Sequence, residues 1–225
     1  MWDAATGEPS GARIENDHQS PWALAWAPDG GELAVVFDNN VLRFFDARTL
    51  EEVGEPIESV DTPITSVAYS PDGSRLATGE ASGITRQWST ATHEQIGAAL
   101  EGQIGPVAGV AYSPDGSLLA TTTLGFSTTR LWDAATGAII GRDLVGGRTP
   151  QTVRTFFMEH FQGSRPAFAP DGGSLAVPNW DGTITVWDLH PTRWLEAACG
   201  LAGRELTAAE WRQFIGEGEP HPTCG

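Results

Sequence analysis

A tripeptide that recurs four times along the chain constrains its fold more than any other feature. The Pro-Asp-Gly tripeptides begin at Pro28, Pro71, Pro114 and Pro170, so successive prolines are 43, 43 and 56 residues apart. An aromatic residue, usually followed by Asp, comes 17, 17, 18 and 17 residues after these prolines, at Phe45, Trp88, Trp132 and Trp187. Two landmarks that stay in step over four copies indicate an internal repeat with a period of about 40–45 residues.

The residues between the landmarks predict four short strands in each repeat. In the second repeat an apolar segment, 64–69, precedes the Pro-Asp-Gly turn, in which proline presets φ and glycine accepts a positive φ. A small β-prone segment (75–78), a segment ending on the aromatic (84–88) and a more polar strand around Gly97 follow. Each such unit exposes an apolar face that only a neighbouring unit can cover. We therefore predict an all-β fold in which the units stack radially as the blades of a β-propeller.

Two segments resemble the WD-repeat family, in its bacterial, actinobacterial-type form: Leu-Trp-Asp-Ala-Ala-Thr-Gly at 131–137 and Ser-Pro-Asp-Gly-Ser-Leu-Leu-Ala at 113–120. The resemblance covers residues 1–188 and implies a WD-repeat β-propeller of four blades, forming an open arc or part of a larger ring. The expected units are a partial outer strand at 1–20, blades at about 21–58, 59–101, 102–145 and 164–189, and an insertion at 146–163. The resemblance further implies a non-catalytic interaction scaffold or sensor, often the C-terminal propeller of a multidomain signalling ATPase or kinase.

The chain departs from the family in its buried hydrogen-bond network. The Gly-His dipeptide expected before the first strand is missing, and the structural Asp of the turn before the third strand survives only as Asp181, with Asn39 and Ser82 at that place in the first two blades. The Asp-His-Ser/Thr-Trp network is therefore incomplete in every blade, and we expect packing and sheet hydrogen bonds to hold the blades. The residues assigned structural roles are Asp181, Trp88, Trp132, Trp187, Cys199 and Cys224.

The resemblance also implies a contact rim. Family members often make contacts through the residue before the structural turn Asp, here Asp38, Ala81 and Trp180, and through the residue midway along the first strand, here Trp22, Thr65 and Ala108. Trp22 and Trp180 are either interaction hot spots or tryptophans packed between blades. The insertion contains Phe156 and Phe157, which either fold onto the third blade or bind a partner.

Beyond Trp187 the periodicity becomes helical. A capping box, Thr207-Ala-Ala-Glu210, predicts a helix over 208–215, and an earlier helix is expected around 193–199. We expect residues 190–225 to form a helical cap on the last blade. Cys199, His221 and Cys224 lack the paired spacing of a zinc site, so we interpret the two cysteines as neighbouring thiols, with a bridge as the alternative, and predict no metal and no cofactor.

Charge and missing motifs narrow the functional class. The formal charge is −16 with no Lys/Arg cluster, which argues against nucleic acid and favours basic or mixed-charge protein partners. No apolar run reaches the ~20 residues of a membrane span, and no export signal begins the chain, so a cytoplasmic location is expected. No phosphate loop, nucleophile elbow or metalloprotease helix occurs, and the four turn aspartates are expected to form separate, well-spaced turns. We therefore expect no enzyme.

The expected partners are a protein or peptide, or upstream domains of the same polypeptide. Four repeats are fewer than the roughly seven usual for the family. Either further blades lie upstream, or residues 8–14 of one copy complete the last blade of another in a head-to-tail homodimer.

Overall fold

The fold is all-β in the part of the chain that the structure describes. The structure is a computed structural model, and it describes residues 5–8, 13–14, 20–38, 40–58, 62–124, 128–146, 165–179 and 182–190. These residues form four separate antiparallel sheets that follow one another along the chain, three with four strands and the last with three. This confirms the predicted propeller-type architecture. The predicted cap at 190–225 lies outside the described residues except for His190, as does nearly all of the insertion at 146–163.

Each sheet is a meander in which strands that are consecutive in sequence are neighbours. The first strands of the sheets are β1 (Pro21–Trp26), β5 (Ile64–Tyr69), β9 (Val107–Tyr112) and β13 (Ala167–Phe168). The second strands are β2 (Glu32–Phe37), β6 (Arg75–Glu80), β10 (Leu118–Thr123) and β14 (Ser174–Pro178). The third strands are β3 (Val41–Asp46), β7 (Thr85–Ser89), β11 (Thr128–Asp133) and β15 (Ile184–Asp188). The fourth strands are β4 (Glu52–Glu58), β8 (Gln95–Leu100) and β12 (Ile139–Val145).

The sheets are arranged as blades. β5 contacts β1 on one side and β9 on the other, and β9 also contacts β13, so the first strands lie side by side along the inner edge. Successive side chains of a strand point to opposite faces, so each blade carries one apolar set toward the preceding blade and another toward the next. In the second blade the bounds of β5, β6 and β7 agree with the predicted segments to within two residues, because turn chemistry on both sides fixes where each strand ends.

Apolar seams between successive blades form the core. The first seam joins Ala34, Val36 and Phe44 of the first blade to Val67 and Leu76 of the second. The second seam is built in the same way, and the third places Leu131 of the third blade against Leu175 and Val177 of the fourth. At about 25 cal/mol per Å² of apolar surface removed from water, these repeated seams supply the main stabilisation of the array.

The described residues of the segment 1–20 do not lie in a strand. Ile14 instead packs against a small cluster on the outward face of the first blade, formed by Val35, Phe37 and Phe45. Ile14 therefore covers part of that face. Within the segment 8–14, which is predicted to complete a blade, only residues 8, 13 and 14 are described.

Candidate interaction rim

One end of the blade array carries a β-bulge at the same place in three successive blades. The register shifts between Pro21 and Ala23 in β1, and between Ile64 and Ser66 in β5. In β9 it shifts opposite Thr122 and Thr123, so that Ala108 is the extra residue. The bulged residues Trp22, Thr65 and Ala108 are the three first-strand positions that the family resemblance implies as contacts. A bulge re-aims a side chain and often lies beside a functional site.

The residue that follows each second strand lies beside the bulge. The backbone N–H of Asp38 donates to the carbonyl of Ser20, and that of Ala81 donates to the carbonyl of Pro63 in the same way. Asp38 is exposed and Ala81 is half-buried. We call this end of the array the bulge rim, defined by Trp22, Asp38, Thr65, Ala81 and Ala108. Trp180, which the sequence places in the fourth blade's copy of this position, lies outside the described residues.

The three bulged side chains differ in how much they reach solvent. The Trp22 side chain is 45% exposed, whereas Ala108 is 6% exposed. Thr65 is half-buried, and its hydroxyl donates to the carbonyls of Gly79 and of Val107 in the next blade, so it stabilises a seam. The rim therefore offers an exposed tryptophan and the carboxylate of Asp38 in its first blade. Asp181, Phe156, Phe157, Cys199 and Cys224 all lie outside the described residues.

A buried carboxylate lies directly below the bulge rim in the second blade, and the sequence patterns did not single it out. Glu80, 3% exposed, accepts hydrogen bonds from Arg86 Nε at 2.7 Å and from Thr62 Oγ1 at 2.9 Å. The Ser82 hydroxyl donates to the same carboxylate at 3.2 Å. Ser82 occupies the place of the family's turn Asp, so Glu80 supplies a carboxylate from two residues upstream. The signal available in the sequence for this ion pair was the opposite charges at positions 80 and 86, on two strands that pair.

The Trp–Thr part of the family's network is present in the two central blades. Trp132, 2% exposed, donates its indole N–H to Thr121 Oγ1 at 2.9 Å. Trp88 makes the same bond to Thr78 Oγ1, also at 2.9 Å, but is half-buried. Trp187 packs against the seam between the third and fourth blades. The blades are thus held by more than packing and sheet hydrogen bonds, since a buried indole N–H needs an acceptor and strand pairing brings the threonine to it.

The opposite end of the array, which we call the turn rim, carries the four Pro-Asp-Gly turns. In each turn the Asp Oδ1 accepts a hydrogen bond from the backbone N–H two residues on, which confirms the turn-forming role of Asp29, Asp72, Asp115 and Asp171. The turns are closer together than predicted. A Cβ on Gly73 would lie 3.6 Å from Pro28 Cδ, and one on Gly116 would lie 3.5 Å from Pro71 Cδ. The expectation of widely separated turns is wrong, because the inner edge brings adjacent turns into contact.

Shallow crevices separate neighbouring turns. One of about 180 Å³ is lined by Asp72, Asp115 and Arg75, and one of about 450 Å³ by Asp115, Asp171 and His190. Hydrogen bonds from the hydroxyls of Ser70 and, to a lesser extent, Ser74 lower the pKa of Asp72 to about 2. A hydrogen bond from the Ser113 hydroxyl lowers the pKa of Asp115 in the same way. Both carboxylates are therefore ionised at neutral pH and already accept local hydrogen bonds. Among the described residues no group of three or more His, Cys, Asp or Glu side chains is placed to hold a metal ion.

Two tyrosines make polar contacts across the seams near the turn rim. Tyr69 donates its hydroxyl to Glu32 Oε1 at 2.6 Å, and Tyr112 donates to Gln87 Oε1 at 2.9 Å. Burial raises the pKa of both phenols, and the neighbouring Glu32 carboxylate raises that of Tyr69 further. Both tyrosines therefore remain neutral donors at any physiological pH, and they fix the rotation of one blade against the next.

The comparison with known protein families agrees with this architecture. Residues 54–89 match the WD domain, G-beta repeat (WD40) family. The matched segment begins in β4, the outer strand of the first blade, and ends with β7 of the second, so one sequence repeat links two blades. The chain therefore contains a WD40 repeat within an all-β array of propeller-type blades, which supports a WD-repeat protein. No curated protein matches the chain. The described residues include no helix long and apolar enough to cross a bilayer.

Proposed function

We propose that this chain is a non-catalytic protein-interaction scaffold or sensor propeller that binds a protein or peptide partner on its bulge rim. WD40 repeats commonly mediate protein–protein interaction, and the partner class includes a second copy of this chain. The observation that carries the proposal is Trp22, which is 45% exposed on a β-bulge beside the exposed carboxylate of Asp38. Tryptophan on a surface is enriched at hot spots because one rigid side chain offers a large apolar area.

The charge of the chain indicates the chemistry of the partner. With a formal net charge of −16, the surface attracts basic or mixed-charge proteins and repels phosphate backbones. Asp38 next to Trp22 fits a segment that places Lys or Arg beside an apolar residue, since guanidinium and ammonium groups pair with carboxylates and stack on indole rings. We therefore infer a protein or peptide partner of this kind in the cytoplasm, and neither nucleic acid nor a membrane as a partner.

The test selects peptides from a random display library on the immobilised full chain and measures their affinity for variants. Trp22→Ala and Asp38→Lys should each weaken the selected peptides about tenfold or more. Glu94→Lys is the matched control, because Glu94 is an exposed acid in the turn between β7 and β8 on the turn rim. Equal affinity for all three variants would refute the bulge rim as the binding surface.

An intramolecular regulatory role is the second candidate. In that role the array restrains an upstream ATPase or kinase domain in the same polypeptide, as the resemblance to multidomain signalling proteins suggests. The same exposed rim serves this role, since a tethered domain binds at high effective concentration. The coding sequence in frame upstream of Met1 distinguishes the two roles: a nucleotide-binding domain there favours restraint, and a stop codon there eliminates it.

A further inference from the structure

One position of the repeat, the ninth residue after the proline of each Pro-Asp-Gly turn, holds a different side chain in every blade. In chain order the residues are Phe37, Glu80, Thr123 and Asn179. Each lies where the second strand of its blade ends, at the bulge-rim end of the array, and none is more than 9% exposed. Threonine is the shortest of the four side chains, so the third blade fills this position least.

An arginine two residues before the aromatic landmark contacts this position in the first two blades. In the first blade the Arg43 guanidinium lies over the Phe37 ring, 5.8 Å from its centroid. In the second blade Arg86 Nε donates to the Glu80 carboxylate at 2.7 Å. A long side chain therefore occupies the space beside the arginine in both blades.

The third blade has the arginine but leaves a crevice beside it. Thr123 shares a hydrogen bond of 2.8 Å with the hydroxyl of Thr128, and Arg130 pairs with Asp143 on the outer strand through Nε at 2.6 Å and Nη2 at 2.8 Å. The crevice has a volume of about 220 Å³, and Gln103 lines it together with Thr123, Arg130 and Asp143. We call this space the rim crevice. Its size suits one amino-acid side chain rather than a drug-sized ligand.

Gln103 brings a buried hydrogen-bond acceptor to the rim crevice. Its Nε2 donates to the carbonyl of Thr121 at 3.2 Å, which fixes the orientation of the amide, because the flipped amide would place two acceptors together. The other end of the amide, Oε1, is buried and has no hydrogen-bond partner among the described residues. A buried acceptor without a donor is costly, so the rim crevice is built for an occupant that donates a hydrogen bond.

Arg130 brings a donor to the same space. Neither of its hydrogen bonds to Asp143 uses Nη1. A Cβ on Gly102 would lie 3.2 Å from Nη1, so glycine at this position keeps the approach to the guanidinium open. Ile104, which is 75% exposed, adds an apolar wall. The rim crevice therefore presents one acceptor, one donor and an apolar surface.

We propose that the rim crevice binds a primary carboxamide, which the partner supplies as the side chain of an Asn or Gln. This inference rests on the proposed function, in that the partner is a protein or peptide bound at this end of the array. A carboxamide matches both groups, because its NH2 donates to Gln103 Oε1 and its oxygen accepts from Arg130. A carboxylate lacks the donor and is repelled by Asp143, whereas an ammonium group lacks the acceptor and is repelled by Arg130.

Chemical-shift titration of the isotopically labelled full chain with four small probes tests this assignment. Propionamide carries the carboxamide, butanone replaces its NH2 with methyl, propionate replaces it with oxygen, and n-butylammonium offers donors alone. Propionamide should shift the signals of the Gln103 side-chain amide and the Ile104 backbone, with a dissociation constant on the order of 1–10 mM for so small a ligand. It should bind about tenfold more tightly than the other three, since each of them leaves one hydrogen bond unmade.

Two outcomes of the titration overturn the proposal. If no probe shifts these signals up to about 100 mM, the rim crevice holds water only. If any of the other three probes binds as tightly as propionamide, the rim crevice does not recognise a carboxamide.

Variants of the crevice residues locate the binding. Thr123→Glu gives the third blade the side chain that fills this position in the second, and Gln103→Met removes the acceptor at similar length. Each should weaken propionamide about tenfold or more. Thr92→Glu is the matched control for charge, because Thr92 is exposed in the turn between β7 and β8, and it should bind propionamide as the wild type does. Circular dichroism checks folding, and Gln103→Met decides the matter if Thr123→Glu unfolds. Unchanged binding by Gln103→Met overturns the assignment.

Peptide selection tests whether the partner supplies the carboxamide. Peptides selected on the immobilised wild type should carry Asn or Gln at one recurring position, and selection on Thr123→Glu should lose that preference. Propionamide binding without a recurring Asn or Gln would assign the rim crevice to a small molecule and overturn the partner's role. Trp22→Ala should leave propionamide binding unchanged, so failure of the Trp22 contact and failure of the rim crevice give different results.

Discussion

Replacing Thr121 with valine tests the hydrogen bond that Trp132 makes inside the third blade, and the only other bond of that hydroxyl among the described residues is a long one, 3.5 Å, to the carbonyl of Arg130. Valine has nearly the shape of threonine, so packing is conserved while the indole N–H loses its acceptor. Thr121 is 0% exposed and Trp132 is 2% exposed, so water cannot replace the lost partner. A buried donor left unsatisfied costs about 1–3 kcal/mol. We therefore expect the free energy of unfolding to fall by about 2 kcal/mol, which corresponds to roughly 4–8 °C in Tm for a chain of this size.

Thr85→Val is the matched control within the same fold. Thr85 is also 0% exposed, but its hydroxyl has no hydrogen-bond partner among the described residues. Replacing that hydroxyl by a methyl group removes a desolvated polar atom and leaves every hydrogen bond in place. The change should leave stability unaltered or raise it by about 1 kcal/mol. Urea and thermal unfolding followed by tryptophan fluorescence measure both variants. Equal stabilities of Thr121→Val and Thr85→Val would refute the assignment of the Trp132–Thr121 bond as a stabilising contact.

Three further predictions follow from the turns, the seams and the charge. Ser70→Ala should move the titration of Asp72, followed by carboxyl NMR, upward from about 2 toward the ordinary value near 3.9. Because the folded-state pKa is the lower one, the stability from this turn is present above about pH 4 and is lost as pH falls toward 2; an unchanged titration would contradict the assigned hydrogen bond. Gly79→Ala should lower the free energy of unfolding, measured in urea, by about 1–3 kcal/mol, because the new Cβ overlaps Val107 in the second seam. Gly31→Ala is the control and should cost less, because its Cβ meets only the flexible carboxylate of Asp29. Tm should rise between about 0.01 M and 0.15 M NaCl as self-repulsion is screened, and a flat Tm would show that the formal charge of −16 does not limit stability.

The sequence was sufficient to predict the blades because their boundaries depend on local chemistry. Proline and glycine place each turn within a tripeptide, and the aromatic lies at the end of the third strand, so β5 has the predicted bounds and those of β6 and β7 lie within two residues of the prediction. The seams followed from the same alternation, since a strand with two apolar faces needs a neighbour on each side.

Features that depend on pairing between distant residues were not predictable in this way. A β-bulge at Trp22 is a property of register between two strands, so the sequence indicated a contact position but not its conformation. The Glu80 carboxylate gains its partners from Arg86 and Thr62 only after the strands pair. The sequence also did not predict that Leu24 would be 49% exposed. Its local pattern is the same as that of Val67, which is 3% exposed, and the difference between them is whether a neighbouring blade covers the residue.

The contact between successive turns bears on how such an array lengthens. The second, third and fourth Pro-Asp-Gly turns each present their glycine to the proline of the turn before, so a single tripeptide carries both complementary parts of the contact. An in-frame duplication of one 43-residue unit therefore brings its own fit to the units on either side. Copy number can then change by recombination within a gene while the contact between turns is kept, and substitutions at the exposed Trp22, at the other end of the array, leave that contact unchanged.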